Sequence, residues 1–327
     1  MSLASALKNP NSPMSRFLAA QLPTPDGVLD ALRAQLPPRS TTIAPQGAQR
    51  FNYRSLGRAI DRRLRVAFGA PVDAPLTAGV GFAPGEVAAA SSRAEGRAVR
   101  EAGQDLLAAL TEQPAAHDGV MQAEAQAEER LARLCYAASH FEEVYRAGLF
   151  PGNPLLDLAA GEGLQELLNR VPDHVPDDLA RQVALAQAAE ALGWVTQLPA
   201  QERLCAPVFA GSRDVGGADA DFIAAGMLID CKATIRPERI DGSAVRQLAG
   251  YLLLDYPHEY RMEQLGVYLS RQGRLVSWPV TEFLHLCGAR LPLPDLRAAC
   301  QQTLTASVPP HTPAPPVSRD RQQTLFD

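Results

Sequence analysis

Residues 211–234 read GSRDVGGADADFIAAGMLIDCKAT and hold Asp219, Asp221, Asp230 and Lys232. Three carboxylates and an ammonium in so short a stretch are the side chains that could hold a divalent cation and steer water. Asp221 and Asp230 lie nine positions apart, with Ala225-Gly226 between them. A hairpin with a two-residue turn there puts Asp221 directly across from Asp230. Side chains alternate along a strand, so Asp219, Asp221, Asp230 and Lys232 all project to one side. The other side is left with Phe222, Met227, Ile229 and Cys231, or their alternating neighbours. Clustered carboxylates repel each other unless a cation sits among them. Mg²⁺ or Mn²⁺ suits that role, as a hard ion held by one or two carboxylates plus water and phosphate oxygens. Such an ion activates water and neutralises transition-state charge. A lysine beside it can orient or deprotonate the water, or bind phosphate, whereas arginine holds its proton too firmly to release it. The chain has 31 basic residues, and only Lys8 and Lys232 are lysine.

The elements that must position these residues follow from periodicity. Residues 1–44 are rich in Pro, Ser and Ala with weak periodicity, which predicts a mobile or loosely docked arm. Residues 45–68 predict a helix, with Leu56, Ile60, Leu64 and Phe68 on one face. Residues 69–120 are Ala/Gly/Pro-rich, with a helix at about 90–111. Residues 121–147 form the clearest long helix, stopped by Gly148 and Pro151. Phe141, Tyr145 and Tyr136 on it are read as core. A further helix fits 177–193. Then the pattern changes to a short strand at 206–210, the hairpin at 217–224 and 226–233, and a helix at about 242–255. Strands at 265–270 and 274–279 turn at Gln272-Gly273, and a short helix begins near Thr281. This order predicts an α/β fold: a small mixed sheet flanked by helices over 177–305, after an all-helical region at 45–176. The Pro-rich tail, 306–327, is expected to be extended and disordered.

Ala220-Asp221 followed by Asp230-Cys231-Lys232 resembles the signature of the PD-(D/E)XK nuclease superfamily. Gln247 and Tyr251, four residues apart on one face of the next helix, resemble the QxxxY element of its RecB-like branch. The resemblance covers roughly residues 177–280. It implies a restriction-endonuclease-like core. It also implies that Asp221 and Asp230 bind Mg²⁺ or Mn²⁺, that Lys232 assists the water, and that Gln247 and Tyr251 line the DNA path. The chain departs from the family in having Ala220 where proline is usual. Asp219 is a reserve first acid. The family often adds an acid from an upstream helix, for which Glu129, Glu142 and Glu143 are unranked candidates. The implied activity is metal-dependent cleavage of DNA, suited to repair or to defence against foreign DNA. A catalytically inactive nucleic-acid-binding adaptor is the rival, and an RNA-directed nuclease a third reading.

Other features bear on partners. Arg50, Arg54, Arg58 and Arg62 recur every four residues and would form a basic stripe able to track a nucleic-acid backbone, or a solvated face paired with acids. Arg213 sits among Gly211, Gly216 and Gly217, where backbone can approach a phosphate, or simply flex before a strand. Gln322-Gln323-Thr324-Leu325-Phe326 resembles the short peptide with which bacterial proteins dock on the DNA sliding clamp, its anchors being Gln322, Leu325 and Phe326. His140 and His258 are isolated and are not read as ligands. The net charge of −5 argues against a non-specific nucleic-acid coat but leaves room for a local basic patch. The five cysteines include no CxxC pair, so neither a zinc site nor a disulfide framework is expected. Some nucleases of the resembled superfamily carry an iron–sulfur cluster on cysteines grouped near the C-terminal end, a group that Cys287 and Cys300 do not make, so no cluster is expected. No apolar run is long enough for a membrane helix and no signal-peptide core is evident, so a cytoplasmic location is expected.

Overall fold

The computed structural model describes residues 2–36, 38, 41–47, 51–116 and 119–306. Five strands, β1 (Arg203–Cys205), β2 (Phe222–Ala224), β3 (Met227–Lys232), β4 (Gln264–Leu269) and β5 (Arg274–Pro279), form one sheet in that spatial order. In the β2–β3 hairpin Phe222 faces Ile229 and Ala224 faces Met227, so Ala225-Gly226 is a two-residue turn. Both turn residues have positive φ, 45° and 77°. That is the primed-turn geometry whose twist matches the flanking strands. Glycine adopts it freely, and Ala225 carries the strain.

β3 and β4 run parallel, which demands a crossover, and helix α10 (Gly242–Leu254) supplies it. The Asp241 carboxylate caps α10 by accepting from the Ser243 N–H. Leu248 and Leu252 of α10 share a core with Ile223, Leu228 and Val267 on one face of the sheet. The other face is covered by α4 (Tyr53–Ala67) and α9 (His174–Ala186). There Ile60, Leu64 and Val183 join Phe222, Ile229 and Tyr268. A further core lies beyond α4, among α5 (Ala74–Ala90), α6 (Arg93–Thr111), α7 (Ala125–Ala147) and α8 (Leu164–Asn169). The architecture is therefore mixed α/β.

Several expectations are corrected. The arm expected over 1–44 instead contains three helices, α1 (Leu3–Lys8), α2 (Pro13–Gln21) and α3 (Asp26–Ala34). Their Leu3, Met14, Phe17, Leu18 and Leu29 are buried in the core that contains α10. Helices of nine residues or fewer show too little periodicity to stand out, although Ser2 and Ser12 cap the first two. The boundary expected at 176/177 falls inside α9, and the helical region packs directly on the sheet. Asp178 of α9 makes a bidentate pair with the fully buried Arg271 just after β4, at 2.6 and 2.9 Å. Helix α5 went unread because its Gly and Ala content looks like loop. Gly79 is needed for packing: a Cβ there would sit 2.1 Å from the Phe141 carbonyl oxygen. Helix α12 (Leu293–Ala306) was also missed. The first strand is Arg203–Cys205 rather than 206–210, and Val208 makes one bridge to Asp219. Tyr136 and Phe141 are buried, but Tyr145 is 47% exposed. Arg50 and the tail anchors Gln322, Leu325 and Phe326 lie outside the described residues. Among the described residues no helix is long and apolar enough to cross a membrane.

Candidate active site

A cleft of about 910 Å³ opens where α1, α4, α7, the hairpin and α10 meet. Extending the hairpin register one step beyond Phe222–Ile229 sets Asp221 opposite Asp230. Asp219, Asp221, Asp230, Lys232, Gln247 and Tyr251 all line this cleft, so the structure brings together the five residues singled out for catalysis. The Cys231 N–H donates to Asp221 Oδ2 at 2.7 Å, which fixes that carboxylate. Asp230 is 2% exposed, and its Oδ2 lies 2.7 Å from Lys232 Nζ. This close ion pair is the partner of an otherwise buried carboxylate. Lys232 Nζ donates to Gln247 Oε1 at 3.0 Å, and Gln247 Nε2 donates to the Tyr251 hydroxyl at 2.8 Å. The four-residue spacing on α10 thus builds a relay that aims the ammonium.

The helical layer adds groups that the strand pattern could not reveal. Asp61 of α4 lines the cleft, and its Oδ1 is buried without a hydrogen bond. Arg65, one turn on, donates from Nε to Asp61 Oδ2 at 2.9 Å and from Nη1 to Asp73 Oδ2 at 3.0 Å. Its Nη2 lies 3.7 Å from Asp221 Oδ1. The available signal for Asp61 was a lone acid within the arginine-rich run 54–65. Of the upstream candidates, Glu142 lines the cleft but is held by Arg62 and Arg146. Glu143 is buried against Arg54 and Arg58, and Glu129 pairs with Arg133 outside the cleft. Asp219, the reserve ligand, accepts from Arg146 Nη2 at 2.9 Å and is committed to that pair.

The basic stripe does not form as expected. Arg62 is 1% exposed and bonded to Asp73, Glu142 and the Pro71 carbonyl. Arg54 and Arg58 do line the cleft. Arg213 is exposed but lies outside the cleft lining.

The electrostatics are those of crowded acids. Burial pushes the Asp221 carboxyl well above its ordinary range, and Asp61 and Asp230 push it further against Arg65 and Lys232. Burial likewise raises Asp61, opposed mainly by Arg65 and Arg62. Burial alone would lower Lys232, but Asp230 more than offsets it, so the ammonium keeps its proton above the usual lysine range. Burial and the neighbouring Asp221 raise the Cys231 thiol well above its normal value, which removes it as a nucleophile.

Among the described residues no three His, Cys, Asp or Glu side chains converge closely enough to hold a metal ion unaided. Asp221 and Asp230, with the unbonded Oδ1 of Asp61 nearby, still match a hard ion that takes one or two carboxylates and completes its shell with water and phosphate. Comparison with protein families, curated proteins and solved structures finds no match to this chain.

Proposed function

We propose that this chain is a Mg²⁺- or Mn²⁺-dependent phosphodiesterase acting on DNA, with a restriction-endonuclease-like core of the PD-(D/E)XK type. One observation carries the reading: Asp221 and Asp230 meet across a hairpin at the cleft, with Lys232 paired to Asp230 and aimed by Gln247. Charge supports an anionic substrate. The cleft lining includes Arg54, Arg58, Arg65, Arg146, Lys232, Arg236 and Arg239 against five carboxylates, in a chain of net charge −5.

Asp221 and Asp230 would hold the ion, with Asp61 nearby. When bound, the ion offsets phosphoryl charge and makes water a better nucleophile. Lys232, aimed by Gln247, would position the water or the phosphate. Gln247 holds that donor in place and is itself anchored on the Tyr251 hydroxyl. Arg54, Arg58, Arg236 and Arg239 would guide the strand in. A docking contact between Gln322, Leu325, Phe326 and a sliding clamp is proposed on the sequence alone. Titration of the tail peptide with clamp tests it, and no binding disposes of it.

The test of the main reading is cleavage of labelled linear, circular, single- and double-stranded DNA with Mg²⁺ or Mn²⁺. Wild type should cut and Asp230→Asn should not. The adaptor reading has one observation in its favour: Arg65 already lies against Asp61 and Asp221, supplying part of the positive charge an ion would bring. DNA binding that is indifferent to both Mg²⁺ and Asp230→Asn, with no cutting, would select the adaptor.

A further inference from the structure

Two exposed aromatic rings stack on each other in the helical layer, one of them on α7, the helix that also supplies Glu142 and Arg146 to the cleft lining. Phe82 on α5 is 59% exposed and Tyr145 on α7 is 47% exposed. Their planes are parallel within 5° and their centroids lie 6.3 Å apart. An exposed phenylalanine and tyrosine stacked on each other leave apolar faces in water, which burial would relieve. Tyr145 immediately precedes Arg146, whose guanidinium lines the cleft and donates to Asp219. Tyr145 therefore shares the C-terminal turn of α7 with a residue of the cleft wall.

The backbone around the pair is bare. Gly81 and Gly85 flank Phe82 on α5, and Gly148 follows Tyr145 after α7. A Cβ added at any of the three would meet nothing within 4 Å. Glycine inside a helix costs about 1 kcal/mol relative to alanine. Gly79 on the same helix meets that cost through close packing against Phe141, whereas Gly81 and Gly85 have no such packing. What their missing side chains provide is open space beside Phe82.

We propose that Phe82 and Tyr145 form a stacking subsite for an unpaired nucleobase of a strand whose phosphate lies in the cleft near Arg146. Flat apolar rings accept any base, because every base has a π face. In a duplex, bases are stacked on each other and cannot lie on these rings, so the subsite selects single-stranded nucleic acid or a frayed end. The recess favours the same substrate: Asp230 and Tyr251 are 2% and 5% exposed, and a flexible strand reaches them more readily than a stiff duplex. The inference rests on the cleft being a nucleic-acid site, but not on hydrolysis occurring there.

The test is fluorescence anisotropy of fluorescein-labelled oligothymidylate, about 15 nucleotides long, against a duplex of equal length, with the full chain and no metal. The double variant Phe82→Leu/Tyr145→Leu keeps apolar bulk and removes the rings. It is expected to weaken oligothymidylate binding about tenfold or more, with duplex binding and thermal midpoint unchanged. Phe82→Tyr/Tyr145→Phe keeps both rings and should bind as wild type does. Unchanged oligothymidylate binding by the leucine variant overturns the proposal, as does equal loss of single strand and duplex. Ring-dependent binding by a wild type that cuts nothing leaves the subsite standing and sinks hydrolysis. Cutting that is matched by ring-independent binding sinks the subsite alone.

Discussion

On the β2–β3 hairpin, charges at alternate positions share one cleft, whereas on α4 charges at every fourth position pass from the cleft into the interior. Asp219, Asp221, Asp230 and Lys232 all line the cleft. The side chains of Arg54, Arg58 and Arg62 are 71%, 19% and 2% exposed. Geometry explains the contrast. A strand returns each second side chain to the same face. A helix turns about 100° per residue, so a four-residue step drifts by about 40°. Two such steps carry the row from the cleft rim at Arg54 into the interior at Arg62, where Asp73 and Glu142 receive it. Strand alternation therefore fixes the partners of a charge, while a helical stripe fixes only its direction relative to its neighbours.

The contrast is sharpest in stability. Arg62→Ala leaves Asp73 and Glu142 buried without their shared cation, and should cost about 3–5 kcal/mol in urea unfolding. Arg54→Ala, at the exposed end of the row, should cost no more than about 0.5 kcal/mol. Equal and small effects from the two would show that Arg62 is solvated and would dissolve the distinction.

Asp221→Asn should reverse the usual sign of a mutation. Asp221 and Asp61 have carboxyls raised above the ordinary range, mainly by burial. A raised acid contributes stability that is present below its unfolded pKa and lost as pH rises through the folded value. At neutral pH the metal-free Asn variant should therefore melt about 2–4 °C above wild type. The gap should close as pH falls toward about 4. Added Mg²⁺ should raise the wild-type midpoint and leave the variant unmoved. A variant that melts below wild type at neutral pH would mean that Asp221 is not crowded by its neighbours.

Gln247→Ala removes the acceptor that aims Lys232 and leaves the ion pair with Asp230. Its cleavage rate should fall about tenfold at unchanged KM, a smaller loss than removal of Lys232 itself. Single-turnover rates check this, and a loss seen only in KM would make Gln247 a substrate contact instead. The smallest effect is at the cleft rim. Arg54→Ala should weaken DNA binding uniformly across sequences and lower the salt slope by about 1. An unchanged slope would remove Arg54 from the strand path.

The catalytic group was legible because three local rules agree. Ala225-Gly226 fixes the register, alternation fixes the face, and the spacing of Gln247 and Tyr251 fixes their shared side of α10. Asp61 was not legible: its approach to Asp221 depends on how α4 lies on the sheet, which no local pattern encodes. The same holds for Arg146, which reaches Asp219 from 73 residues away. Helices α1 to α3 escape a sequence reading because short helices carry little periodicity, and α5 because its three glycines resemble a loop. Tyr145, expected in the core with Tyr136 and Phe141, lies at the end of α7 where the burial of that helix stops.

The central claim is that Asp221, Asp230 and Lys232 cut phosphodiester bonds. The most direct measurement is cleavage of the labelled DNA panel with Mn²⁺ by wild type and by Lys232→Ala, each purified identically. The account requires cutting by wild type and a loss of about 10³-fold or more in the variant, assayed at a temperature where both proteins are folded. Equal cutting by both, or none by wild type on any strand form, would contradict it.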